Sequence, residues 1–168
     1  MANPTSTADP APVAAVVLGP GGGRRIPGTS VAVKAERRHS GGALTVYEAT
    51  VAPRHAGPPV HLHRTWDEAF YVLAGAMTFL IDGAEHAAPA GAFVFVPHGV
   101  PHAFWNAGAE PARQLTVVTS SGIEDFFEAL GALRTGGGAL PFEAVTALSE
   151  RHDTIVLPTD RPPYGPLD

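Results

Sequence analysis

His61 and His63 are separated by Leu62 alone, and in a strand a spacing of two puts both imidazoles on the same face. Two such rings can close on one ion. Five residues beyond His63 stands Glu68, and Arg64-Thr65-Trp66-Asp67 between them is long enough to turn the chain and begin the next strand, so a carboxylate can meet the imidazoles. A third histidine, His102, follows Pro97-His98-Gly99-Val100-Pro101, a rigid loop able to aim its ring inward. Three neutral imidazoles and one carboxylate suit a divalent transition metal, Fe, Mn, Ni, Zn or Cu, and leave room for water or substrate. The donor set does not choose among these ions. His39, His55, His86, His98 and His152 read as surface or packing residues.

Other chemistries are excluded or disfavoured. The chain has no cysteine, which removes disulfides, thiolate metal sites, iron–sulfur clusters and cysteine nucleophiles. No Gly-x-Ser-x-Gly elbow occurs, and Gly19 to Gly23 runs into Arg24-Arg25 instead of the Gly-Lys-Ser/Thr of a phosphate loop. A net charge of −5, with no basic run longer than Arg37-Arg38, gives no surface for nucleic acid or anionic membrane. The longest apolar window, Ala69 to Ile81, is broken by Gly75 and Thr78 and is shorter than the ~20 residues of a membrane helix. No basic stretch precedes an apolar run at the N-terminus, so the expected location is cytoplasmic.

The elements that must position the four donors read as short strands. A length of 168 residues fits one domain, and 19 glycines with 17 prolines interrupt long helices too often for a helical bundle. Residues 1–12 are too polar and proline-rich to pack, and read as a flexible tail. From Val13 to Thr119 short apolar runs alternate with turns: Val13–Leu18, Val31–Ala35, Ala43–Val51, Ala69–Leu73, Ala76–Ile81 closed by Asp82-Gly83, Ala92–Val96 and Leu115–Thr119. Such spacing predicts a sandwich or a closed barrel. At Ser121 the texture changes. Ser121 and Glu124 form a capping box, and Ile123, Phe126, Phe127, Leu130 and Leu133 follow at helical spacing. Thr135 to Gly138 breaks that helix and Pro141 opens a second, with Val145 and Leu148 as its apolar stripe, so residues 120–157 read as helical and 158–168 as a proline-rich tail. The first helix is expected on an outer sheet face or across the open end of the barrel. Counting by two from Glu68 places Phe70 and Val72 inward, and from His102 places Phe104 inward, which makes these three the expected substrate-pocket residues.

The same residues carry a resemblance to the cupin superfamily. Its first motif is matched by His61-x-His63, Glu68 and, after six intervening residues, Gly75; its leading glycine falls on His55, with Gly57 nearby. Its second motif is complete as Gly91, Pro97, Gly99, His102 and Asn106. The resemblance implies an all-β fold, a single antiparallel cupin-type β-barrel (jelly roll), here followed by two short helices. It implies His61, His63, Glu68 and His102 as metal ligands. The wording Asp67 to Leu73 resembles the single-domain quercetin-dioxygenase-like branch, which implies a metal-dependent dioxygenase acting on a small phenolic or enolisable molecule, with Glu68 able to take a substrate proton. A non-redox isomerase or cyclase, or a non-catalytic small-molecule-binding module, are the alternatives. A homodimer is expected, because single-domain cupins commonly pair through barrel edges and Val13–Leu18 reads as a strand in need of a partner.

Overall fold

A computed structural model describes residues 13–119, 122–134, 140–158 and 167. The expected tail 1–12, the capping residue Ser121, the break at 135–138 and most of the segment from 158 on lie outside these residues. In chain order the elements are β1 (Arg24–Arg25), β2 (Val31–Ala35), α1 (Arg37–Ser40), β3 (Leu44–Val51), β4 (His61–His63), β5 (Glu68–Ala74), β6 (Ala76–Ile81), β7 (Ala84–Pro89), β8 (Phe93–Val96), β9 (His102–Trp105), β10 (Ala112–Thr119), α2 (Ile123–Arg134), α3 (Phe142–Arg151) and β11 (Thr154–Val156).

The strands form two antiparallel sheets, ordered β1-β2-β3-β10-β5-β8 and β11-β4-β9-β6-β7. Among the described residues no ladder joins the two, so the expected closed barrel is an open jelly roll, with core side chains between the sheets in place of a continuous ring of hydrogen bonds. Alternation explains the inner faces. Strand β5 buries Glu68, Phe70 and Val72 while Tyr71 and Leu73 point outward, and β10 buries Ala112, Gln114, Thr116 and Val118. The β6–β7 hairpin turns at Asp82-Gly83 with positive φ at both residues, as its sequence predicts.

The interior divides into two clusters. One gathers Val33, Tyr47, Trp66 and Val118 with Ile123, Phe126 and Leu130 of α2 and Val145 and Leu148 of α3. The other holds Phe70, Val72, Met77, Phe79, Val96 and Ala112, with Phe104 packed against it. The rings of Phe70, Phe79 and Phe104 lie 5.0 to 5.9 Å apart and fill that end. At ~1.5–3 kcal/mol for each large apolar side chain buried, these clusters give the sheets reason to face one another without help from an ion.

Three sequence expectations are corrected. Val13–Leu18 is not a strand: Val13, Val16, Val17 and Leu18 are exposed and no ladder recruits them. The segment after Thr119 is not purely helical, because β11 returns to pair with β4 as Thr154↔His63, Ile155↔Leu62 and Val156↔His61. The capping box of Ser121 with Glu124 falls partly outside the described residues, and Glu124 has a second role. It is buried, and its carboxylate accepts from Thr45 Oγ1 at 2.8 Å and from the Arg37 backbone N–H at 3.2 Å, which ties α2 to β3 and α1. Leu133, expected in the apolar stripe, is 43% exposed. Close approach fixes the helix elsewhere, since a Cβ on Gly131 would collide with the Pro27 carbonyl oxygen.

Candidate metal site

The four donors come from both sheets. His61 and His63 stand on β4 and His102 on β9, where His61 and His102 face each other directly across the ladder; Glu68 opens β5 in the opposite sheet, between Val96 and Val118. The loop before β9 aims His102 as its sequence predicts. Gly99 takes a positive φ and donates its N–H to the His63 carbonyl at 2.7 Å, and Asp67 accepts from both the backbone N–H and Nδ1 of His98. Those bonds also hold the Asp67 carboxyl below its ordinary range. On the other side, His55 pairs backbone to backbone with Asn106, and Gly57 supplies the left-handed turn, where a Cβ would strike the Phe104 carbonyl oxygen. Asn106 is buried and structural, donating to Val51 and Glu110 carbonyls and accepting from Gly108 N–H.

One potential donor atom from each of His61, His63, Glu68 and His102 lies within 4.8 Å of the others, and all four residues are buried. Counting protons shows what the cluster lacks. His61 Nδ1 is 2.8 Å from the Pro59 carbonyl and His102 Nδ1 is 3.0 Å from that of Val100. A carbonyl only accepts, so those Nδ1 atoms carry the ring proton and a neutral ring presents a bare Nε2. His63 behaves alike: its Nδ1 is 3.0 Å from Thr154 Oγ1, whose own hydroxyl donates to the His152 carbonyl. Yet Nε2 of His63 and of His102 lie 3.3 and 3.2 Å from Glu68 Oε2, also an acceptor. Lone pairs facing a carboxylate across such gaps are what a divalent cation satisfies, and the outer bonds are those that orient metal-bound histidines. The residues fit the ion.

Electrostatics point the same way. Burial pushes His61 well below the ordinary histidine value, helped by His102 and His63, and burial lowers His63 against the upward pull of Glu68. These rings are therefore neutral and ready to ligate. Burial alone would raise Glu68, but a proton shared from His102 or His63, in the place a cation takes when the rings are neutral, outweighs it and holds the carboxyl well below the usual carboxylate range. Glu68 Oε1 accepts from Tyr47 O–H at 3.2 Å, and Trp66 stacks on His63 with ring centroids 3.3 Å apart.

A cavity of about 260 Å³ opens beside the cluster. Tyr47, Trp66, Ile123, Phe126, Phe127 and Leu130 make much of its apolar wall, so α2 lies along the cavity and not on an outer sheet face. Of the expected pocket residues, Phe104 lines it. Phe70 and Val72 do not: both point inward but are wholly buried in the aromatic cluster that fills the other end. His55 and Arg134 also line the cavity, as does Thr154. Trp66 carried a signal, a large aromatic between two ligands; Tyr47 and Thr154 reach the site through pairings that local pattern does not show.

Residues 47–118 match the family model for the cupin domain, a segment that contains all four donors but neither α2 nor β11. No curated protein matches the chain. Among solved structures, a predicted oxalate decarboxylase from Thermotoga maritima is 22% identical over 53% of this chain and 77% of that one, with a TM-score of 0.50. The polyketide cyclase RemF from Streptomyces resistomycificus is 26% identical over 57% and 70%, with a TM-score of 0.48. A sugar phosphate isomerase from Silicibacter pomeroyi is 26% identical over 54% of this chain, which spans only 59% of that protein, with a TM-score of 0.47. Among the described residues no helix is long and apolar enough to cross a membrane. The match supports the cupin superfamily for residues 47–118, and the likeness to the first of these structures bears on the fold alone.

Proposed function

We propose that this chain is a metal-dependent enzyme that oxidises a small phenolic or enolisable molecule with oxygen. The observation that carries the reading is a three-histidine, one-carboxylate cluster at the wall of a largely apolar cavity. His61, His63, Glu68 and His102 hold the ion. When bound, the ion supplies a charge that polarises an enol or phenol oxygen and, if redox-active, a path for electrons. The chain's own residues do the rest. Phe104, Phe126, Phe127 and Leu130 exclude water and accept a flat apolar body, and a volume near the lower end of the ~300–1,000 Å³ of small-molecule sites restricts its size. Tyr47 presents a hydroxyl at the cavity wall and shares its proton with Glu68 Oε1, so this pair can take or return a substrate proton. The wording Asp67 to Leu73, similar to the quercetin-dioxygenase-like branch, supports the oxygen-using reading.

The Tyr47–Glu68 pair equally favours a second reading, a non-redox isomerase or cyclase, since proton shuttling is all such a reaction asks of the protein. Metal content of the chain purified without added metal, followed by aerobic and anaerobic turnover of phenolic and enolisable compounds in an oxygen electrode, decides between them. Oxygen uptake matching substrate loss, and abolished by His102→Ala, is expected. Equal turnover without oxygen would replace the oxidase with the isomerase or cyclase. Ligand retention without turnover would make the cavity a binding module.

A further inference from the structure

The cavity has a second polar region besides the donor cluster. Glu68, Val118 and Thr45 stand in one row across β5, β10 and β3; Thr45 bonds Glu124 in the first turn of α2, and Tyr47, bonded to Glu68, packs edge-on against Phe127. The carboxylate ligand therefore lies beside the opening turns of that helix. From there α2 runs past Gly131, held close to the Pro27 carbonyl, and ends at Arg134, about 10 Å beyond Phe127 at ~1.5 Å of rise per residue. Arg134 lines the cavity, as does His55. We propose, on the reading of this cavity as a substrate site, that Arg134 and His55 form an anion subsite that holds the carboxylate of a phenolic or enolisable acid whose other end reaches the donor cluster.

Both side chains offer donors. His55 Nδ1 accepts from the Gly57 backbone N–H at 3.1 Å, so the neutral ring carries its proton on Nε2. Burial and the neighbouring Arg134 charge both lower the His55 pKa, which keeps the ring neutral and places the two groups within electrostatic reach of each other. Arginine brings five N–H donors and no acceptor, enough to keep bonds within the chain and still meet two oxygens of a ligand. In the last turn of a helix an arginine ordinarily offsets the dipole, but this one also lines a cavity whose wall is mostly apolar, where a charged hydrogen bond is stronger than in water. Apart from Glu68, no carboxylate among the described residues lines that wall to repel an anion. One guanidinium and one neutral N–H match a single negative charge, so a carboxylate suits them better than a phosphate dianion. Neither residue belongs to the donor set: Arg134 lies beyond the matched segment 47–118, and His55 stands where the first motif has its leading glycine. They select the substrate and leave the metal chemistry to the cluster.

Calorimetric titration of the zinc-loaded full chain with para-hydroxyphenylpropanoate and with its primary amide tests this, zinc content being measured for every variant. The acid is expected to bind roughly 10–100-fold more tightly than the amide, and Arg134→Gln to remove that preference. Arg134→Lys, which keeps the charge but not the fork, should retain part of it. His55→Phe is expected to weaken the acid about 3–10-fold relative to the amide, which serves as the control for any disturbance of the Gly57 turn. Equal affinity for acid and amide in the native chain overturns the anion subsite and leaves a phenol-binding metal site standing. A preference that survives Arg134→Gln overturns it too, and so does an Arg134→Gln loss shared equally by acid and amide, which is the mark of a merely structural arginine. Binding of neither probe overturns the subsite together with the reading of the cavity on which it rests.

Discussion

Replacing Thr154 with valine should weaken metal binding without touching a ligand. Thr154 Oγ1 is the acceptor that fixes the Nδ1 proton of His63, at 3.0 Å, and so turns that ring's Nε2 toward Glu68. Valine keeps the branched shape that suits β11 but removes the oxygen. The His63 ring is only 4% exposed, so its Nδ1–H would be left without a partner at a cost of ~1–3 kcal/mol. The ring can recover that cost only by rotating or by moving its proton to Nε2, and either response spoils the ligand. Outer-shell losses of this kind lower metal affinity by ~10–100-fold, about 1.4–2.7 kcal/mol. Competition with a chromophoric chelator for zinc or manganese measures it, and Thr154→Ser should restore affinity to within about threefold because the hydroxyl returns. An affinity unchanged in Thr154→Val, or an equal loss in Thr154→Ser, would show that the hydroxyl does not orient His63.

Three further outcomes are expected. Acidification should destabilise the metal-free protein: His61 and His63 have depressed values in the fold, so below the ~6.5 of an unfolded histidine the unfolded chain takes up protons that the native one refuses. Stability is complete above that pH and falls beneath it, with Glu68 adding its own loss only below ~4.3; a melting temperature that stays level from about pH 7.5 to about pH 5 in chelator would refute the assignment of buried neutral rings. Gln114 is wholly buried with neither amide atom paired, so Gln114→Met should raise stability by ~1–2 kcal/mol in urea unfolding, and a loss of stability would count against the reading. Phe127, edge-on to Tyr47 at 4.9 Å, closes part of the cavity wall; Phe127→Ala should admit a bulkier ligand and speed its exchange, read by quenching of Trp66 fluorescence, at a stability cost of ~1–2 kcal/mol, and identical exchange rates would remove α2 from control of the cavity.

What was legible in the sequence was local. His-x-His parity, the Pro97 to Pro101 loop and the Asp82-Gly83 turn depend on residues a few positions apart, and such spacing survives into the fold unchanged. Parity could say that Phe70, Val72 and Phe104 point inward, but not at which level of the interior the cavity lies. That level is set by how the Phe70, Phe79 and Phe104 rings fill one end and α2 the other, a division made by residues some fifty positions apart. Glu124 shows the same limit. A capping box is read from spacing alone, whereas the bonds of the Glu124 carboxylate to Thr45 and Arg37, 79 and 87 positions earlier, are not. The Val13–Leu18 run has strand propensity without a ladder, and propensity alone does not order a strand.

The pairing of β11 with β4 also sets a timetable. His61 to His102 leave the ribosome as a contiguous stretch, but the hydroxyl that orients His63 arrives only with Thr154, 91 positions later. A nascent chain that has reached Thr119 can therefore form the central strands of both sheets and still hold His63 in the wrong tautomer. Ion capture becomes a late event, gated by a slow, long-range strand addition, so a chain halted after α2 should be born folded in large part yet unable to select its metal.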